Sequence, residues 1–421
     1  MKEIRTGEVK DGAAVTVPGS KSYTHRILIA TALADGPSTI ENTLKSEDTT
    51  LTAQALRSWG VSIEERNGRI DVAGTGGNLT PCKEPVYLAN SGTSMRLLTG
   101  IAALGKGKTL LTGSKRMQER PIRELLDGLG QIGVTARSVN DTGCPPVEVH
   151  GGVCEGGEMA LDCRVSSQYL SSVLLMAPYT RQGIRVTLPF GLVSKPYVDM
   201  TVDIMNRLGV TVEREAYERF FAPGGQIYKN GGYVVEPDCS QASYFWAAAA
   251  ITGKRLLVRN IARSSRQGDV HFVDLLERMG CRVTEEREGI AVTGGKLRAI
   301  ETDMSDMPDV APTLAVVAAF AEGTTVIRNI AHLKDKECDR IGSVAKELTK
   351  MGISVKATDD GLAVQGGRPR GALIDTYNDH RMAMCFSVAG LITKGVVIKD
   401  ETCVVKSFPN YWEVFEGIYL S

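Results

Sequence analysis

Two kinds of apolar segment alternate along the 421-residue chain. The first kind is apolar nearly all round: RILIATALADG, MRLLTGIAALG, QYLSSVLLMAP, SYFWAAAAITG, PTLAVVAAFAEG and RMAMCFSVAGL. A helix without a polar face is a buried one, so these segments predict six core helices. The second kind reads apolar–x–x–apolar–Gly–apolar–x–apolar. It occurs as LRSWGVSI around Gly60, LGQIGVTA around Gly133, MNRLGVTV around Gly209, LERMGCRV around Gly280 and LTKMGISV around Gly352. The glycine intervals are 73, 76, 71 and 72 residues, by subtraction of those positions. Each copy predicts an amphipathic helix that stops at a glycine and passes at once into a β-branched strand. WEVFEGI, around Gly417, reads as a truncated relative that closes the chain.

Strand patterns fill the intervals. KTLLTGS, IRVTLP, RLLVRNI, TTVIRNI and VVIKDE follow core helices, and second strands sit in REGIAVTGG (287–295) and DDGLAVQGG (359–367). Each period thus holds one core helix, one amphipathic helix and several strands, and six copies of about 70 residues account for the chain. The expected fold is α/β, in two similar domains of three units each. Residues 1–18 plus 238–421 form one and 19–237 the other, with crossings near Pro18–Gly19 and Glu236–Asp238.

The segments that lead into the core helices share a polar character. They are GSKSYTHR (19–26), NSGTSMR (90–96), VSSQ (165–168), DCSQAS (238–243), DMPDVAP (306–312) and YNDHR (377–381). Singly, each is an ordinary helix cap. Six in equivalent places of a repeat suggest more, because helix N-termini present unpaired N–H groups and partial positive charge. Arg26, Arg96 and Arg381 fall in the first turns of three of them. Further cations stand in KRMQERPI (115–122), SKPY (194–197), KDKECDR (334–340) and VVKSFP (404–409). Such a set suits small, multiply charged anions if the entrances of both domains face a common cleft.

Two acids interrupt the cations. Asp309 lies in DMPDVAP and Glu337 in KDKECDR, where Lys336 and Arg340 are four residues apart and so expected on one helix face. Either the acids make plain ion pairs, or they form acid–base groups tuned by neighbouring charge.

Composition narrows the partners. Lys plus Arg and Asp plus Glu number 49 each, so the net charge of zero argues against nucleic acid or an anionic membrane as partner. The richest apolar run, Ala311 to Phe320, is too short to span a bilayer. The N-terminus MKEIRTGEVK lacks signal or transit character, so a soluble cytoplasmic protein is expected. Nine scattered cysteines without a Cys-x-x-Cys pair predict free, mostly buried thiols. The five histidines have no metal-ligand spacing; His25 and His380, beside helix entrances, are expected to hydrogen-bond locally. GKGKT (105–109) lacks the leading glycine of a P-loop, since position 102 is Ala.

Taken in order, PGSKSxxxR, NSGTSxR, RMQERPI, VSSQ, SKPY, DMPDxAPT, KDKExDR, YNDHRMAM and KSFPNYW resemble the 5-enolpyruvylshikimate-3-phosphate (EPSP) synthases, from about residue 18 to 412. The related transferases that act on UDP-N-acetylglucosamine have Lys-Asn where this chain has Lys21-Ser22, and a reactive Cys on the loop that here reads GSKRMQERP. The resemblance implies the enolpyruvyl transferase fold, with core-helix N-termini facing the interdomain cleft. It implies transfer of the enolpyruvyl group from phosphoenolpyruvate to the 5-hydroxyl of shikimate 3-phosphate, by a monomer without metal or organic cofactor. Asp309 would be the base at that hydroxyl, and Glu337 and Lys21 the proton-transfer partners at the other substrate. Lys21, Ser22, Arg26, Ser166, Ser167, Gln168, Ser194, Asp309 and Lys336 resemble the shikimate 3-phosphate contacts. Lys21, Gly92, Arg120, Gln168, Arg340, Arg381 and Lys406 resemble the phosphoenolpyruvate contacts. The chain departs from the pattern at Leu97, often Pro, and at His332, where an Asn commonly stands. Glyphosate competes with phosphoenolpyruvate in the family; Gly92 points toward sensitivity and Leu97 leaves its degree open.

Overall fold

A computed structural model describes residues 1–66 and 68–420. The chain divides into two compact units, Gly19–Val235 and Met1–Pro18 with Glu236–Ser421.

The unit Gly19–Val235 contains α1 (Lys21–Leu33), α2 (Glu47–Ser58), α3 (Gly92–Ala102), α4 (Arg123–Gln131), α5 (Gln168–Met176) and α6 (Lys195–Arg207). Its three four-stranded sheets share one design. Pro37–Glu41 lies parallel to Gly232–Val234 and antiparallel to Arg69–Ala73, which pairs with Ser62–Arg66. Gly107–Thr112 stands likewise between Val86–Tyr87 and the hairpin of Thr135–Ser138 with Val147–Gly151. Ile184–Thr187 stands between Gly157–Ala160 and the hairpin of Glu213–Glu215 with Arg219–Ala222. Because Gly232–Val234 completes the first sheet, the end of the unit is tied back to its beginning.

The other unit contains α7 (Cys239–Thr252), α8 (Phe272–Arg278), α9 (Ala311–Ala318), α10 (Arg340–Lys350), α11 (His380–Gly390) and α12 (Tyr411–Glu416). Arg255–Arg259 and Thr324–Arg328 centre two sheets of the same design, the first completed by Ala13–Val15 from the N-terminal segment. The third sheet has three strands, with Val397–Ile398 between Lys2–Glu3 and Leu373–Ile374.

The all-apolar segments are the core helices: every residue of α3, α9 and α11 is buried. α7, α9 and α11 pack on one another in one unit, and α3 packs between α1 and α5 in the other. α2, α4, α6, α8 and α10 lead to Gly60, Gly133, Gly209, Gly280 and Gly352, all at φ between +79° and +107°, where an L side chain is strained. The sixth copy departs from this pattern. Gly417 caps α12 at φ −64°, right-handed, and among the described residues only an isolated bridge, Val9 with Tyr419, follows it.

The entrances also differ in detail. Ser20, Ser91, Asp238 and Asp379 cap α1, α3, α7 and α11 through their side chains. Ser167 and Val310, before α5 and α9, make no side-chain cap bond. The helical reading of KDKECDR needs correction. Asp339 caps α10 by accepting from the Gly342 N–H, so Lys336 and Glu337 precede the helix and share no helix face with Arg340.

Candidate active site

In the unit Gly19–Val235, Lys21 opens α1 with its Nζ 3.4 Å from Asp48 Oδ2, near the head of α2. Ser22 follows, half-buried. One turn on, Arg26 is wholly buried. Its Nε donates to Thr201 Oγ1 at 2.7 Å, its Nη1 to the Ser22 carbonyl at 3.0 Å, and its Nη2 to Ser171 Oγ at 3.3 Å and the Tyr197 carbonyl at 3.1 Å. Those four acceptors are neutral, so the charge is desolvated without a carboxylate among them. Burial lowers its pKa to about 10, against the opposing effect of Tyr197 and Tyr23.

His25 is a buried link. Its Nδ1 lies 2.8 Å from Thr52 Oγ1, which is 2.8 Å from Ser94 Oγ, joining α1, α2 and α3. Burial pushes its pKa down to about 3, with Asp48 pulling weakly the other way, so the ring is neutral near pH 7.

The entrance to α3 is shaped by an arginine lying against a glycine. Arg120 donates from Nη1 to the Asn90 carbonyl at 3.0 Å and to Asn90 Oδ1 at 3.3 Å. A Cβ on Gly92 would lie 2.4 Å from Arg120 Nη2 and 2.6 Å from Cζ. The missing side chain is what allows the guanidinium to stand there. Arg96, one turn along α3, donates to Gln168 Oε1 at 3.1 Å, and Gln168 Nε2 donates to Thr93 Oγ1 at 3.0 Å. Gln168 is thereby aimed at the head of α3. Ser166 Oγ accepts from the Gln168 N–H at 3.2 Å; Ser166 and Ser167 are both buried. Ser194 heads α6 at φ +54°, a left-handed setting uncommon for a residue with a side chain. Leu97 is buried in α3.

In the other unit, three acids surround one arginine. Arg340, at the first position of α10, is only 2% exposed. Its Nη1 is 3.0 Å from Asp309 Oδ1, its Nη2 2.7 Å from Glu337 Oε2, and its Nε 2.8 Å from Asp379 Oδ2. Burial alone would lower its pKa, but Asp379, Glu337 and Asp309 together raise it. Asp309 also takes Arg381 Nη2 on its other oxygen at 2.6 Å, and Lys406 Nζ is 3.8 Å from Glu337 Oε1. Lys336 is half-buried beside His332, whose pKa burial pushes down to about 3, Lys336 lowering it further.

The anticipated residues thus fall in two clusters, one in each unit. The ion-pair reading of Asp309 and Glu337 holds as geometry, and it leaves an acid–base role open. Three supporting acids escaped the sequence reading. Asp48 faces Lys21, Asp379 faces Arg340, and Asp238 holds Ser240, whose hydroxyl lies 3.2 Å from Arg381 Nη2. The entrance at 238–243, which offered no candidate from sequence, therefore supports Arg381. A signal was present in each case, an acidic residue at a helix start, but capping accounts for Asp238 and Asp379 and the helix dipole for Asp48 in the first turn of α2. All nine cysteines are free thiols, seven of them buried. Among the described residues no group of three or more His, Cys, Asp or Glu could hold a metal ion, and no helix is long and apolar enough to cross a membrane.

The repeated α/β units, with arginines buried at core-helix entrances, have the enolpyruvyl transferase fold, which solved EPSP synthases share. The chain belongs to the EPSP synthase (3-phosphoshikimate 1-carboxyvinyltransferase) family, whose model matches residues 7–415. A 3-phosphoshikimate 1-carboxyvinyltransferase of Syntrophobacter fumaroxidans is 43% identical over 409 residues, covering 96% of this chain and 97% of that one. Its counterpart in Methanoculleus marisnigri is 43% identical over 419 residues, 99% of each chain. The solved EPSP synthase of Acinetobacter baumannii superposes with a TM-score of 0.83 at 31% identity, covering 100% of this chain and 98% of that one.

Proposed function

We propose that this chain transfers the enolpyruvyl group of phosphoenolpyruvate to the 5-hydroxyl of shikimate 3-phosphate, releasing phosphate, as a cytoplasmic monomer of two three-repeat domains. The observation that carries the reading is Asp309, held between two nearly buried arginines at 3.0 and 2.6 Å. Asp309, Glu337 and Asp379 pair with Arg340, Arg381 and Lys406. An arriving phosphate or carboxylate competes for the same N–H donors. Asp309 and Glu337 therefore stand beside the groups that would hold the anion, where an acid–base group must be.

The chemistry asks for two transfers in each half. In the addition, the methylene carbon gains a proton, the 5-hydroxyl loses one, and its oxygen bonds to C2, giving a tetrahedral ketal. In the elimination, the new methyl loses a proton, the bond from C2 to the phosphate oxygen breaks, and that oxygen takes up a proton as phosphate leaves. Asp309 serves as base at the hydroxyl, with Glu337 and Lys21 at the phosphoenolpyruvate end. Ser22, Arg26, Ser166, Ser167, Ser194 and Lys336 bind shikimate 3-phosphate. Gly92, Arg120, Arg340, Arg381 and Lys406 bind phosphoenolpyruvate, and Lys21 and Gln168 contact both. The cations suit substrates with roughly three negative charges each, since buried charge needs compensation. Arg26 supports this most directly, because its acceptors are all neutral.

Glu337→Gln and Lys21→Ala test the assignment. Each is expected to lose turnover by about 100-fold or more while still binding substrate, the scale of one general acid or base. Turnover at the parent's rate in either variant contradicts that residue's role.

A further inference from the structure

α10 carries two buried charged groups seven residues apart, Arg340 and Glu347, which therefore project from one face. Both reach the short segment 375–379. Arg340 holds its end through Asp379. Glu347 holds its beginning: Oε1 accepts the Tyr377 hydroxyl at 2.6 Å, and Oε2 accepts the Asp375 N–H at 3.1 Å and Lys350 Nζ at 2.6 Å.

A tight turn lies between the two grips. The Asp379 N–H donates to the Thr376 carbonyl at 2.9 Å, and Tyr377 and Asn378 both have φ of +54°. Two successive left-handed residues closed by that bond form a type I′ turn. Asn suits such a turn, but an aromatic residue at its first central position does not. Tyr377 is kept there from outside, by its hydroxyl on Glu347 and by Lys346 Nζ, 5.7 Å from the ring centre. The turn runs directly into the site. Asp379 caps α11 by accepting the Arg381 N–H at 2.9 Å and pairs with Arg340, and both arginines hold Asp309.

We propose that Glu347 is a positioning residue for phosphoenolpyruvate binding: by anchoring Tyr377 in the left-handed turn, it sets where Asp379, Arg340 and Arg381 stand. The proposal rests on the reading that those arginines bind phosphoenolpyruvate.

Steady-state kinetics of the full chain, with KM for each substrate, kcat and Tm measured together, test it. Glu347→Ala is expected to raise KM for phosphoenolpyruvate about tenfold, the scale of a lost hydrogen bond to a charged group. KM for shikimate 3-phosphate is expected to change less, within about threefold, because Ser22, Arg26, Ser166, Ser167 and Ser194 lie on other elements and only Lys336 and Asp309 lie beside Arg340. Adding Tyr377→Gly to Glu347→Ala is expected to restore most of the affinity, since glycine adopts the left-handed turn unaided. A fall in Tm with both KM values unmoved, or no recovery in the double variant, overturns the proposal. If Glu347→Ala does not fold, Tyr377→Phe removes only the hydroxyl; it is expected to raise the same KM severalfold, and an unmoved KM overturns the proposal. A parent without turnover overturns the functional reading and this proposal with it. A parent that turns over beside variants with unmoved KM overturns the role of Glu347 alone.

Discussion

Asp379 and Arg340 form a forked pair in the interior, with Nε to Oδ2 at 2.8 Å and Nη2 to Oδ1 at 3.3 Å. Asp379 is wholly buried and Arg340 is 2% exposed. Asp379→Ala leaves Arg340 with Asp309 and Glu337, but removes its most buried carboxylate and the cap of α11. It is therefore expected to destabilise the unit Met1–Pro18 with Glu236–Ser421 by about 3 kcal/mol, the low end for a buried pair. Urea unfolding checks this; a loss below about 1 kcal/mol, the scale of an exposed pair, contradicts it.

Gly92→Ala puts a methyl group where the Arg120 guanidinium now stands, 2.4 Å from Nη2. The far end of Arg120 must move, which costs the fold little but misplaces a proposed phosphoenolpyruvate donor. KM for phosphoenolpyruvate is expected to rise on the order of tenfold or more, with Tm nearly unchanged. Competition with glyphosate, measured on the same variant, is expected to weaken. An unchanged KM places Arg120 outside that subsite.

Arg26→Lys keeps the charge but loses the planar fork that reaches Thr201, Ser171 and two carbonyls at once. KM for shikimate 3-phosphate is expected to rise about tenfold or more, with a much smaller change for phosphoenolpyruvate. Equal changes in both would argue for general damage to the packing of α1, α5 and α6.

His25 and His332 both have a folded pKa of about 3 against an ordinary 6.5, because burial penalises the cation. Below pH 6.5 the unfolded chain takes up a proton at each ring, which the folded chain refuses until about pH 3. Their contribution to stability is whole above pH 6.5 and is lost as pH falls through that window. The slope is about 1.4 kcal/mol per pH unit for each histidine. His25→Gln is expected to reduce the acid-side slope by one proton. Urea midpoints across the window check this, and a slope equal to the parent's contradicts it.

The parts of the fold legible in the sequence are those set by local chemistry. All-apolar helices such as Ala311–Ala318 can only be buried, and the five repeated glycines from Gly60 to Gly352 stop their helices in a left-handed setting. Candidate cations were legible because their motifs recur in order. Their partners were not, because Asp379 is 39 residues from Arg340 and Asp309 is 72 from Arg381. Spacing misled at Lys336 and Glu337, since the cap at Asp339 starts the helix after them. Gly417 misled because sequence shows a glycine but not the sign of its φ.

The most direct measurement of the central claim is phosphate release from phosphoenolpyruvate with two acceptors supplied in turn. Release that depends on shikimate 3-phosphate, and is absent with UDP-N-acetylglucosamine, is the expected result. No release with shikimate 3-phosphate, together with release driven by UDP-N-acetylglucosamine, would contradict the account.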